Sequence, residues 1–505
     1  MMKKVYIGLI TLLTISLFSC EDILDEEPLG LLAPEAFYSS EDDAVAALAG
    51  VYGHLFEDDG FQVEMDVYFT LGHDLITPTR NLGAGQQFFA FAWDESTPRV
   101  RDVWINMFQA VNDANLIIER VNESEIEEET KRDLIAEATF LRGFVYYYLT
   151  AMYGDVPYLT QASTGSESFG ENITAERISQ DEIRAAIVSD MEEVEEDLPN
   201  QTRRNDFPQR PTQWAAKSLK LKCQLWLEDF QGASITAQDI IDNSGYTLLS
   251  DYAEIWEEDN EYNNEIIFAL DFVSGDNLLS TNRHSRYEPR AQDDGLDAAD
   301  RPSPFGKGFA FYTLYQSFAD TFSENDLRKA SNVYDEIPGE TAIPLRFNYI
   351  PKMWRVDEPR ADSGLNYNFY RLADTYLNLA EAENEANGDT QIAYDAINAV
   401  RTRAGLGPIS DLGTNGLREA IRQERAWELV GEGNHRKLDL LRWGILEESL
   451  SERLAVESSN PEADESLISN IQTTVENFSS NETILPIPQS EIVLNPNLTQ
   501  NPGYN

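Results

Sequence analysis

The sequence predicts a mainly α-helical protein whose paired helices carry a face of long, aromatic-rich loops. Three observations lead there. Apolar residues recur at helical spacing in many separate segments, as in Leu134, Ala138, Leu141, Val145, Tyr148 and Met152. Short connections separate neighbouring helical segments, which favours antiparallel pairs. Two segments, about 60–99 and 245–365, lose the helical period and collect aromatic residues and glycine instead. Irregular stretches of that length inside a compact fold usually carry function.

The chain opens with MMKKVYIGLITLLTISLFSC, two lysines followed by an apolar run from Val5 to Phe18. A basic start, a short apolar middle and small residues before the cut describe a secretory signal, not a spanning helix. No other apolar run approaches the ~18 residues that a spanning helix needs. Leu17-Phe18-Ser19-Cys20 resembles the lipobox of bacterial lipoproteins, which makes residues 1–19 the leader and Cys20 the expected lipidation site. Acyl chains on that cysteine would hold a soluble body on a membrane. A plain secretory signal with an incidental cysteine is the alternative. Residues 20–40 form an acidic, proline-punctuated tether, whose acids after Cys20 resemble the surface-export signal of Bacteroidetes lipoproteins.

From Ser40 a capped helix over 41–58 is expected, with Ala44, Ala47, Leu48, Val51 and Leu55 on one face. Beyond the first loop-rich segment, helices fit 100–122, 127–153, 175–197, 211–228 and 231–243. They resume at 366–387, 389–404, 414–432 and 434–444, giving a scaffold over about 41–58, 100–243 and 366–445. Residues 450–482 are polar and serine-rich and read as a further excursion. The tail, 483–505, is expected to be extended by its prolines. Residues 41–505 together read as one unit of tetratricopeptide-like helical pairs, although no clean repeat of roughly 34 residues runs through them.

The 505 residues include 38 basic and 89 acidic side chains, for a net charge of −51. Such a charge excludes a nucleic-acid binder, which needs a basic footprint. It also argues against adhesion of the protein surface to anionic lipid. A hydrated acidic surface suited to high ionic strength accounts for it. The chain has 2 cysteines. With Cys20 acylated no internal disulfide is available, and Cys223 in SLKLKCQLWL is expected to be a small buried hydrophobe.

Local motifs refine the scaffold. Gly143 sits inside a helix at a cost of ~1 kcal/mol against Ala, which makes sense where another helix approaches closely. Tyr153-Gly154-Asp155-Val156-Pro157 reads as a helix end, with Gly at the cap and Pro beyond. Glu424 shares a face with Leu417, Ala420, Ile421 and Trp427, so it is expected to be part-buried and to need an arginine.

Several stretches then point one way. They are LRGFVYYYLTAMYGDVPYL from residue 141, YRLADTYLNLAEAENEANGD from 370, INAVRTRAGL from 397, IRQERAWELVGEGNHRKLDLLRWG from 421, and the tail LPIPQSEIVLNPNLTQNPGY. With the lipobox, they resemble the SusD/RagB family of Bacteroidetes outer-membrane lipoproteins. The resemblance implies a non-enzymatic, glycan-binding lipoprotein on the outer face of the outer membrane. It also implies a SusC-like TonB-dependent transporter as partner, capped by this chain during import, and a helical scaffold bearing a loop-rich glycan-binding half.

A sugar presents an apolar face of C–H groups and a rim of hydroxyls, so its site needs aromatic platforms with planar polar groups nearby. In the first loop-rich segment the candidates are Asp74, Arg80, Gln86, Phe89 and Trp93. The resemblance implies a Thr-Arg and a nearby Trp in this loop, here Thr79-Arg80 and Trp93, while the family's following Asp-Trp element is absent. In the second segment the candidates are Arg283, Arg286, Tyr287 and Trp354. The run Arg283–Arg290, continuing to Arg301 and Lys307, concentrates positive charge that would suit a carboxylate or sulfate on an anionic glycan. Asp293, Asp294, Asp297 and Asp300 interrupt it, and a self-neutralised loop is the competing explanation.

Two other classes stay open. A secreted glycoside hydrolase would use two carboxylates roughly 5–9.5 Å apart, and the acids present do not exclude such a pair. Nothing marks one, however, and His54, His73, His284 and His435 are scattered with no HExxH, GxSxG or phosphate-loop pattern. A protein-docking scaffold without glycan affinity is the second class. No cofactor is expected. Acidic runs such as 192–197 offer calcium ligands but read equally as a solvated helix face.

Overall fold

The computed structural model describes residues 38, 40–80, 86–163, 174–201, 204, 210–276, 279–290, 308–338, 342–355, 357–478 and 483–504. The leader, Cys20 and the acidic part of the tether lie outside the described residues.

Helix α1 (Glu41–Phe56) begins with the expected cap. Ser40 Oγ accepts the Asp43 N–H at 3.2 Å, and the Asp43 carboxylate accepts the Ser40 N–H at 3.1 Å. It leads to the short α2 (Glu64–Thr70) and then to α3 (Pro98–Glu123), α4 (Glu128–Tyr153), α5 (Gln180–Val194), α6 (Gln213–Trp226) and α7 (Phe230–Asn243). The long members stack in series: α1 on α3, α3 on α4, α4 on α5, α5 on α6 and α6 on α7. Gly143 is where α4 meets its neighbours, because an added Cβ would lie 3.3 Å from Ile187 and 3.4 Å from Leu219. Gly154 caps α4 in the left-handed region, at φ +70°.

After the short α8 (Arg283–Tyr287), the scaffold resumes with α9 (Leu372–Asn387), α10 (Gln391–Arg403), α11 (Gly413–Leu429) and α12 (Arg436–Arg442). Helix α7 packs directly on α9, so the array is continuous across the long second insertion. Two expectations need correction. The serine-rich stretch after 445 is helical, forming α13 (Leu446–Ser459) and α14 (Glu465–Asn477), whose buried Leu450, Leu467 and Ile471 supply an apolar stripe. The tail is not wholly extended, since Gln489–Leu494 forms α15 between its prolines.

Among the described residues eight short strands organise the loops: β1 (Ile76–Pro78), β2 (Val156–Pro157), β3 (Arg177–Ile178), β4 (Ile266–Leu270), β5 (Tyr312–Leu314), β6 (Tyr334–Ile337), β7 (Ile343–Tyr349) and β8 (Tyr367–Arg371). Residues 367–371, read from the sequence as helix, pair instead with β4, as their aromatic, β-favouring composition allows. This ladder joins the two ends of the second insertion. A four-stranded sheet of order β1-β5-β7-β6 unites the two loop-rich segments, with Ile76 opposite Leu314 and Pro78 opposite Tyr312.

Two kinds of contact fasten the loop-built half to the helices. Phe144 of α4 packs edge-on against Phe268 of β4 at 5.5 Å and Phe369 of β8 at 4.9 Å. Beside them lies a buried ionic network. Arg371, at the end of β8, reaches Glu428 at 2.6 Å, Glu432 at 2.8 Å and Glu265 at 2.9 Å. Arg328 reaches Glu424 at 2.7 Å and Glu428 at 3.0 Å. Glu424 thus has the expected arginine, and Arg401 is a second one at 2.9 Å. Burial alone would raise the Glu428 carboxyl pKa, but Arg403, Arg371 and Arg328 outweigh it and hold the group ionised well below the usual carboxylate range.

Candidate ligand-binding surface

Where the two loop-rich segments meet, the chain Gly308-Phe309-Ala310-Phe311 runs between α8 and the continuation of β1. The Thr79 N–H donates to the Phe311 carbonyl at 3.1 Å. On the other side the Ala310 N–H donates to Glu288 O at 3.0 Å and the Phe311 N–H to Arg286 O at 2.7 Å. Gly308 is required here, because a Cβ would collide with the Glu288 carbonyl. Ala310 takes φ +50°, a left-handed conformation that costs roughly 1–2 kcal/mol for a residue with a Cβ. Strain of this kind tends to gather at ligand sites.

The outcome is a pair of half-buried rings, Phe309 and Phe311, whose centroids lie 5.3 Å apart and whose planes differ by 11°. Each carries a guanidinium. Arg80 lies 4.8 Å from the Phe311 centroid and Arg360 lies 4.0 Å from that of Phe309. Arg360 Nη2 also donates to Gly308 O at 2.7 Å. Half-buried Trp354 and Tyr334 pack edge to face at 5.0 Å nearby, on a small cluster made by Ala310, Phe347, Tyr349 and Leu467. Trp354 is fixed by its indole N–H, which donates to Tyr287 O at 2.9 Å. Two aromatic pairs therefore lie close together in the loop-built half, and a guanidinium sits over each ring of the first.

The remaining candidates are placed differently, and most need correction as ligand contacts. Asp74 is buried and takes Arg436 through both oxygens, at 2.8 and 2.6 Å. Phe89 is 0% exposed. Trp93 is 6% exposed and donates to the Tyr504 hydroxyl at 2.6 Å. It belongs to an aromatic box around the buried Lys437, whose ammonium lies 3.7 Å from the Tyr68 centroid and 5.8 Å from that of Trp93. Burial lowers the Lys437 pKa well below the usual lysine range. Arg283 and Arg286 point inward to Asp66, at 3.0 and 2.6 Å, and Tyr287 is 0% exposed with its hydroxyl on Gly431 O. Apolar surroundings and matched charges explain these placements: the loops fill the core with the side chains that sequence reading assigned to ligand. The side chain of Gln86 and the residues Arg301 and Lys307 lie outside the described residues.

Sequence reading undervalued Phe309, Phe311, Tyr334 and Arg360. Composition held no clear signal for them, because the two rings are set beside each other by the left-handed turn at Ala310 and not by the alternation of an extended strand. A cleft of about 590 Å³ lies elsewhere, between α3 and the tail, with Trp104, Phe108, His54, Leu494 and Leu498 in its walls. Among the described residues no group of three or more His, Cys, Asp or Glu side chains is placed to hold a metal ion. Nor is any described helix long and apolar enough to cross a membrane.

Comparison with known proteins agrees with this architecture. The SusD family model matches residues 345–504, and a second, described as starch-binding associating with outer membrane, matches residues 81–225. SusD-like protein P25 of Formosa agariphila is 30% identical, over 98% of this chain and 97% of its own length. The chain belongs to the SusD family. A SusD homologue from Bacteroides thetaiotaomicron superposes with a TM-score of 0.79 at 21% identity, covering 93% of this chain and 98% of that one. A structure named as a laminarin-binding SusD-like protein superposes with a TM-score of 0.75 at 25% identity, covering 92% of this chain and all of its own.

Proposed function

We propose that this protein is a cell-surface glycan receptor: it captures an oligo- or polysaccharide on the Phe309/Phe311 face and caps a SusC-like TonB-dependent transporter for import. The observation that carries the reading is the near-parallel, half-buried Phe309/Phe311 ring pair with a guanidinium over each ring. The exposed parts of such rings meet apolar C–H patches of a sugar while nearby polar groups meet the hydroxyls. The laminarin-binding relative of the same fold supports a glycan as the ligand. The reading keeps Arg80 and Trp354 as contact residues and adds Phe309 and Phe311. Asp74, Phe89, Trp93, Arg283, Arg286 and Tyr287 support the loops from below.

The same proposal divides the chain into a leader (1–19), a tether lipidated at Cys20 (20–40) and one body (41–505), anchored to the outer membrane and facing outward. The protein binds and does not cleave. Affinity electrophoresis of the purified chain through gels containing a panel of polysaccharides tests it. Retardation by a glycan, reduced in Phe311→Ala and Trp354→Ala, supports receptor and site together. Retardation unchanged in both variants moves the site elsewhere. No retardation in any gel leaves the docking scaffold, and product release from a polymer would point to the hydrolase. Co-purification with a TonB-dependent barrel from native membranes tests the capping role.

A further inference from the structure

Resting on that reading, we infer that the glycan taken by the Phe309/Phe311 face is anionic, with Arg360 pairing a carboxylate or sulfate on the sugar while the rings hold its apolar face.

The argument begins from charge accounting. In a chain of net charge −51, the arginines of the interior are matched by carboxylates. Arg283 and Arg286 share Asp66, Arg371 has Glu428 and Glu432, Arg425 has Asp439, and Arg442 has Glu381. Arg360 lies outside that interior accounting. It is exposed and makes no ion pair among the described residues, although acids outnumber bases more than twofold in the chain.

Its surroundings add to the case. The guanidinium is held against Phe309 at 4.0 Å and tied by one N–H to Gly308 O. Its other donors have no partner among the described residues. A planar fork fixed at one corner is preorganised for bidentate pairing with a carboxylate or sulfate. Partial burial makes Arg360 hold its proton less tightly than usual, and Arg290, close enough to act on it as a like charge, adds to this. Glu288, the acid that opposes this, is buried and accepts the Arg355 N–H at 3.1 Å. Arg80, at 4.8 Å from Phe311, carries positive charge along the second ring. An acidic sugar supplies an anion for the Arg360 fork and an apolar patch for the neighbouring rings in one molecule.

The test is calorimetric titration of the purified chain with four probes: a uronate oligosaccharide, its carboxyl-reduced neutral counterpart, a sulfated galactan oligosaccharide and the desulfated form. The expected result is at least about tenfold tighter binding of one acidic probe than of its neutral counterpart, as one charge-assisted pair would supply. Arg360→Gln should erase that ratio while leaving neutral binding in place, and raised salt should shrink it. The uronate and sulfate arms say which anion is read. Arg80→Gln is the second variant, should Arg360→Gln fail to fold. Equal affinity for acidic and neutral members, or a ratio untouched by Arg360→Gln, overturns the inference and leaves the receptor reading standing. Absence of binding to all four probes overturns the inference, and the receptor reading falls with it only if the wider gel panel also fails to retard the chain.

Discussion

Arg286 and Asp66 meet at 2.6 Å in the interior, and Arg283 takes the other oxygen of the same carboxylate at 3.0 Å. The densest basic run in the chain is thereby split. Two of its arginines turn inward to an acid from the first loop-rich segment, while Arg290 stays near Arg360 and the ring pair. Because Asp66 comes from α2 and the arginines from α8, this contact also binds the two loop-rich segments to each other.

Removing the shared acid should therefore be costly. Asp66→Asn leaves two buried guanidinium groups short of a counter-charge, and breaking a buried pair typically costs 3–5 kcal/mol. Urea denaturation of the two proteins should show a loss of about that size. A loss under about 1 kcal/mol would mean that the pair is not structural.

Stability should fall as pH drops below neutrality, before the carboxylates titrate. Burial lowers the pKa of His284 and of His435 to about 4, and that of His73 to about 3. Unfolded histidine titrates near 6.5. Between roughly pH 6.5 and 4 these three histidines take up protons in the unfolded chain that they refuse in the folded one, so their contribution rises with pH and outweighs the opposite one of Glu261, whose carboxyl pKa is raised by burial to about 7. His284 and His435 each account for roughly 3 kcal/mol by pH 4. His54 acts in a different window. Asp113 at 3.0 Å raises its pKa, so its contribution is full below pH 6.5 and fades as pH climbs through the raised value. Thermal unfolding at pH 7, 6 and 5 should show a steady decline, made shallower by His435→Gln. A flat profile would contradict it.

Two glycines should respond with opposite signs. Gly50 lies in α1 with open space around its Cβ position, so Gly50→Ala should stabilise by about 0.5–1 kcal/mol. Gly143 faces Ile187, Leu219 and Met191 at contact distance, so Gly143→Val overpacks and should cost about 1–3 kcal/mol. Denaturation midpoints of the two variants check both signs.

The thiol of Cys223 should be inert in the native protein. It is buried in α6, and burial pushes its pKa up to about 12, leaving almost no thiolate at neutral pH. Ellman's reagent should react with it only after unfolding. Fast reaction under native conditions would show that α6 opens locally.

Much of the scaffold was legible in the sequence, because its helices bury one face against a neighbour and write that face as a period. Ser40, Gly143, Gly154 and Glu424 each behave as their local chemistry predicts. The period misleads where composition disguises it: α13 and α14 hide a few buried leucines and isoleucines among serines and acids. It fails again at 367–371, where a partner strand some 100 residues earlier decides the conformation. The ligand face was legible as a region but not residue by residue. An aromatic such as Trp93 is equally fit for a sugar platform or for a box around Lys437, and only the tertiary fold decides between them. Phe309 and Phe311 owe their place to the strained turn at Ala310 and the backbone of α8, neither of which leaves a mark in composition.

The central claim, that a glycan sits on this ring pair, is tested most directly by the dissociation constant of one retained glycan for the native chain and for Phe309→Ala/Phe311→Ala. Both rings are half-buried at the surface, so the double variant should keep the unfolding temperature within a few degrees while weakening binding by at least tenfold. Undiminished affinity in the folded double variant would contradict the account and place the glycan elsewhere on the molecule.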